Sequence, residues 1–163
     1  LRKDALDIQK SEVADSSKPN LYYVPPDSVP TLWGDISSLL NRTPDDGALF
    51  NWDEQELFQV LTDTDNSYGL WVGYHNKKLE AVIITCFLMP FANGERYLQI
   101  ESGNGKLHKY RPYLERIEKW AFDCGCTFSQ IKGRFGLARV LEPCGYIPEA
   151  IVLKKSLRKR WSH

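Results

Sequence analysis

Glu101 closes the run Tyr97-Leu-Gln-Ile-Glu-Ser102, and it is the residue whose type and position best suit proton transfer. A carboxylate at a strand end beside an opening can be tuned by its surroundings to accept a proton. Alternation along the run places Tyr97, Gln99 and Glu101 on one face and Leu98, Ile100 and Ser102 on the other. The segment that follows is Ser102-Gly-Asn-Gly-Lys-Leu-His-Lys-Tyr-Arg111. Gly103 and Gly105 flank Asn104 and give the backbone freedom, while Lys106, Lys109 and Arg111 supply positive charge suited to phosphate. Cys124-Gly-Cys126 has no matching second pair, and His75, His108 and His163 show no ligand spacing, so no metal site is expected.

The elements that must position these groups follow from pattern. Leu32, Trp33, Ile36, Leu39 and Leu40 repeat at helical spacing behind Pro30, which suits a first-turn position, and predict a helix from about Thr31 to Asn41. A second helix follows, with Asn51 as its cap, Glu54 completing a capping box, and Leu57, Val60 and Leu61 as its buried stripe. Leu70 to Tyr74 and Leu79 to Met89 read as strands joined by a hairpin at His75-Asn-Lys-Lys. A turn from Pro90 to Glu95, centred on Asn93-Gly94, returns the chain into Tyr97 to Ser102, so consecutive antiparallel strands are expected. Tyr113, Leu114, Ile117, Trp120, Ala121 and Cys124 mark an amphipathic helix that Gly125 ends. A strand from Thr127 to Lys132, a short helix from Phe135 to Glu142 and a last strand within 147–154 complete the series.

Totals bound the class. The 163 residues, 42% hydrophobic, suit one domain with its own core. Lys plus Arg and Asp plus Glu stand at 21 each, so a charged partner must be met by a local patch. No apolar run is long enough to span a bilayer, and a soluble chain is expected. No secretory segment opens the sequence, so Cys86, Cys124, Cys126 and Cys144 are expected as reduced, buried thiols; Leu1 in place of Met implies processing or a further segment. Residues 1–26 read as an extended arm, 27–157 as the folded domain and 158–163 as the end of a basic tail, whose cluster Lys154 to Arg160 can contact nucleic acid or an acidic surface.

The run Gln130-Ile-Lys-Gly-Arg-Phe-Gly-Leu-Ala-Arg-Val-Leu-Glu-Pro-Cys-Gly-Tyr146, read as strand, Gly turn, short helix, Gly stop and next strand, resembles the close of the acetyl-CoA-dependent N-acetyltransferase (GNAT) fold. With Leu70-Trp-Val-Gly-Tyr74, Leu98-Gln-Ile-Glu-Ser-Gly103 and Trp120-Ala-Phe-Asp-Cys-Gly-Cys126, it is similar to small GNAT-like proteins of tailed bacteriophages, over about Trp52 to Leu157. The resemblance implies an α/β fold: a single GNAT-like domain with a mixed, mainly antiparallel sheet flanked by helices. It also implies acetyl-CoA as cofactor, with its pyrophosphate at Gly103, Asn104, Gly105, Lys106, Lys109 and Arg111, where a strand opens into a helix. Glu101 becomes the base for an acceptor amine.

The chain departs from the resembled pattern in three places. The segment after Glu101 lacks the family's phosphate-loop signature, and Pro112 removes a helix-start amide. Leu141 stands where many members carry the tyrosine that protonates the leaving thiolate, so that role passes to Tyr146 or Tyr110. Phe135 replaces a frequent Asn, although Ala138 keeps the small residue. The expectation is therefore a non-catalytic virion or assembly component, in a virion or the host cytoplasm, with phage structural proteins as partners. The alternative is an acetyl-CoA-dependent N-acetyltransferase acting on a protein or small-molecule amine, and a regulator of a host enzyme is a third reading.

Overall fold

Runs rich in β-branched and aromatic residues become β2 (Tyr68–His75), β3 (Lys78–Leu88) and β4 (Arg96–Asn104), consecutive antiparallel strands in the computed structural model. The structure describes residues 20–41, 53–88, 94–104, 111–132 and 135–149. The β2–β3 hairpin turns at Asn76 and Lys77, with φ of 50° and 60°, the left-handed conformation that a two-residue hairpin turn of the primed type demands. The turn expected at Pro90 to Glu95 lies largely outside the described residues.

Before these strands comes β1 (Asn20–Val24), which pairs antiparallel with β2 from Asn20↔Tyr74 to Val24↔Leu70. This corrects the expected arm of 1–26. Leu21 and Val24 are 1% and 4% exposed, because alternation along the strand drives both into the core, so these residues belong to the sheet. Residues 1–19 of that arm lie outside the described residues.

Two helices follow β1: α1 (Val29–Asn41), with Pro30 in its first turn, and α2 (Glu54–Thr62). Asp53, not Asn51, caps α2, its carboxylate accepting from the backbone N–H groups of Gln55 and Glu56. Leu57 and Leu61 of α2 pack with Val29 and Ile36 of α1 against Val24, Leu70, Val72, Val82 and Ile84 of the sheet. The opposite sheet face carries α3 (Arg111–Asp123), which buries Tyr113, Leu114, Ile117 and Ala121. There Trp120 lies 4.9 Å from Trp71 and 4.8 Å from Phe87 between ring centroids, and Tyr23 of β1 joins the cluster.

Gly125, at φ 84°, ends α3 and lets the chain reverse into β5 (Cys126–Ile131), which pairs parallel with β4. The helix is the crossover that a parallel pair requires. Among the described residues the strand order is β1-β2-β3-β4-β5: a five-stranded mixed sheet, mainly antiparallel and flanked by helices, as expected. Residues divide into two compact units at Lys132/Gly133. In the second, α4 (Phe135–Leu141) runs into a 3-10 turn, Glu142–Cys144, closed by Gly145 at φ 87°. Tyr146 to Glu149 carry no strand pairing, and the rest of the expected last strand and the basic tail lie outside the described residues.

Candidate active site

β4 changes neighbours along its length, and this change builds the site. Pairing with β5 ends at Ile100↔Ile131, whereas pairing with β3 continues to Val82↔Asn104. Among the described residues, Glu101 to Asn104 therefore have no β5 partner on that side. Parting at the carboxyl ends of parallel strands is the place where α/β sheets offer main chain and side chains to ligands.

Glu101 stands at this point, on a bulge. Ile84 pairs with Ser102 and Thr85 with Ile100, so Glu101 has no opposite number on β3. The extra residue interrupts the strict alternation expected from sequence, and the register puts Ser102 with Ile84 instead of with Leu98 and Ile100. A bulge of this kind re-aims a side chain, which a regular strand could not do. The Gln99 side-chain amide, in a residue only 1% exposed, donates to Oε1 of Glu101.

Neighbouring strands complete the surroundings. Register pairs Tyr68 with Cys86 and Cys86 with Gln99, aligning the three across β2, β3 and β4. Burial, and then the charge of Glu101, push the Cys86 thiol up to about 11, while a hydrogen bond with Tyr68 and the charge of Lys132 pull it the other way. Tyr68 is raised by burial and by the charges of Cys86 and Glu101. Both groups are thus neutral at physiological pH, and Cys86 is a poor nucleophile. On β4 and β5, Tyr97 stacks on Phe128 at 4.8 Å and 8°.

Of the residues expected from sequence, Glu101, Gly103 and Asn104 share β4, and Arg111 opens α3. The Arg111 guanidinium forms an exposed ion pair with Glu115 at 3.0 Å, one turn along the helix. Gly105, Lys106, Lys109 and Tyr110 lie outside the described residues. Tyr146 belongs to the second unit, where its backbone N–H donates to the Leu141 carbonyl at 3.3 Å. Among the described residues no cluster of three His, Cys, Asp or Glu side chains could hold a metal. Sequence reading missed Gln99, Tyr68 and Cys86 as site residues. The available signal was a glutamine between Leu98 and Ile100, sharing the face of Glu101 at an i, i+2 spacing.

No protein-family model and no curated protein matches the chain. Solved structures do. A GNAT family acetyltransferase from Staphylococcus aureus superposes with a TM-score of 0.60 at 15% identity, covering 86% of this chain and 99% of that one. Glucosamine-6-phosphate N-acetyltransferase from Arabidopsis thaliana gives 0.60 at 13% identity over 86% and 99%. Ribosomal-protein-alanine N-acetyltransferase from Brucella melitensis gives 0.56 at 12% over 86% and 97%. The chain has the GNAT fold. Nothing in these comparisons points to a bacteriophage origin or a virion role, and at the level of the fold they fit the alternative better than the expected assembly component.

Proposed function

We propose that this protein is an acetyl-CoA-dependent N-acetyltransferase that acts on a primary amine. The observation carrying this reading is the parting of β4 from β5 at Ile100/Ile131, with Glu101 on a bulge at that point. The residues there suit the cofactor: β4 main chain from Glu101 to Asn104 is without a β5 partner among the described residues, Gly103 carries no side chain to obstruct approach, and α3 begins a few residues on. Gly103, Asn104, Gly105, Lys106, Lys109 and Arg111 would hold its phosphates. Acetyl-CoA, when bound, supplies an activated acyl carbonyl.

Glu101 accepts the proton that the amine gives up as the N–C bond forms and the C–S bond breaks, and the departing thiolate takes its proton from water. Transfer is direct, since a Cys86 thiol held near 11 is thiolate in only about one part in ten thousand at pH 7 and cannot carry the acyl group at a useful rate. The named neighbours act on amines of different settings, an amino sugar phosphate and a protein alanine, and both are suitable test acceptors here.

The test is calorimetric titration with acetyl-CoA, then thiol release with glucosamine 6-phosphate or an alanine-terminated peptide as acceptor. Glu101→Gln is expected to lower transfer by about 10²- to 10⁴-fold with acetyl-CoA affinity unchanged. An absence of binding at millimolar acetyl-CoA would overturn the reading.

A further inference from the structure

We infer that Gln99 is a positioning residue, whose buried side-chain amide holds one oxygen of the Glu101 carboxylate and leaves the other for the acceptor amine. The inference rests on the acetyl-transfer reading above and names the residue that makes the base usable.

A glutamine 1% exposed at the middle of β4 is expensive to bury unless its amide is satisfied, and an aliphatic residue would fill the same space without that cost. Its flanking residues, Leu98 and Ile100, show what the strand otherwise uses at buried positions, 0% and 4% exposed. The Gln99 amide donates to Oε1 of Glu101, a bond that engages one of the two carboxylate oxygens. A glutamate side chain has three rotatable bonds, so an unrestrained carboxylate samples many directions, and catalysis depends on holding one.

Two independent features restrain it here. The bulge sets the direction in which the side chain leaves β4, and the Gln99 amide then sets the carboxylate plane. The groups facing Glu101 from the other strands are the neutral Tyr68 phenol on β2 and the neutral Cys86 thiol on β3, with Lys132 beyond the end of β5 interacting with that thiol. Bond and base sit on the same strand two residues apart, so the arrangement survives without help from a loop.

The test has one arm that needs no activity. In ¹⁵N–¹H spectra of the full chain, the Gln99 side-chain amide is expected to be shifted downfield and protected from exchange, and to lose both properties in Glu101→Ala. An amide indifferent to that substitution overturns the inference whatever the kinetics. The second arm uses Gln99→Met, close in volume and without a donor. Its kcat is expected to fall about 10- to 100-fold with KM for acetyl-CoA unchanged. An unchanged kcat overturns the positioning role, and should Gln99→Met fail to fold, the spectral arm decides alone. A parent chain that binds no acetyl-CoA at millimolar concentration removes the acetyl-transfer reading, and a Gln99 amide that still responds to Glu101→Ala separates that failure from failure of the pairing.

Discussion

The Cys86 thiol senses the charge of Glu101 across the strands. Its thiol is raised from 9.0 to about 11, with burial as the largest cause and the carboxylate of Glu101 as the next. Replacing Glu101 by Gln removes a negative charge and leaves the burial, so the thiol should titrate lower, and alkylation by iodoacetamide at pH 9 should quicken. An unchanged rate–pH profile would place Glu101 away from Cys86. The same shift bears on stability. A group raised on folding stabilises fully below its unfolded value, and that contribution is lost as pH climbs through the folded value, here between 9.0 and about 11. Urea midpoints of the parent should fall across that window, and those of Cys86→Ala should fall less steeply.

Helix α3 lies close on the sheet because β2 offers it a glycine. A Cβ placed on Gly73 would meet the Tyr113 ring at 2.8 Å and the Ala81 Cβ at 2.9 Å, both too short for real atoms. Tyr113 is 3% exposed and cannot swing into solvent without giving up that burial. Gly73→Val should therefore destabilise by about 1 to 3 kcal/mol, the range for overpacking a filled site, measured by urea unfolding. Since Arg111 opens α3, the same variant should weaken acetyl-CoA binding more than its stability loss alone requires. A fully stable Gly73→Val would show that α3 packs with slack.

At the scale of the whole sheet, β1 is an edge strand whose inward residues are as buried as those of the centre. Leu21 is 1% exposed, close to Leu70 of β2, which is also 1% exposed. Leu21→Ala should lower stability by about 2 to 5 kcal/mol in urea unfolding, as for a fully buried leucine. A loss below about 1 kcal/mol would mean that β1 peels away at little cost. The strand also brings Tyr23 to Trp71 and Trp120, so it ties the face that carries α3 to the same edge. Hence the sheet and α3 respond together to damage at β1.

Periodicity along the chain already separates helix from strand at most described positions. It locates α1 through Leu32 and Ile36, α3 through Tyr113, Leu114 and Ile117, and the glycine stop at Gly125, because these are local preferences that each segment carries wherever it is placed. It also puts Glu101 near a strand end and Gln99 on its face. Three matters were decided only by tertiary structure. Residues 20–24 looked like an arm, since five residues with two inward apolar side chains show too little pattern to demand a strand; pairing with β2 supplies what local sequence lacks. The bulge at Glu101 depends on where β3 sits against β4, and one strand's own alternation cannot reveal a neighbour's register. The parting of β4 from β5 arises because β5 ends at Ile131 while β4 runs on to Asn104, a mismatch between segments 27 residues apart in sequence that only pairing brings side by side.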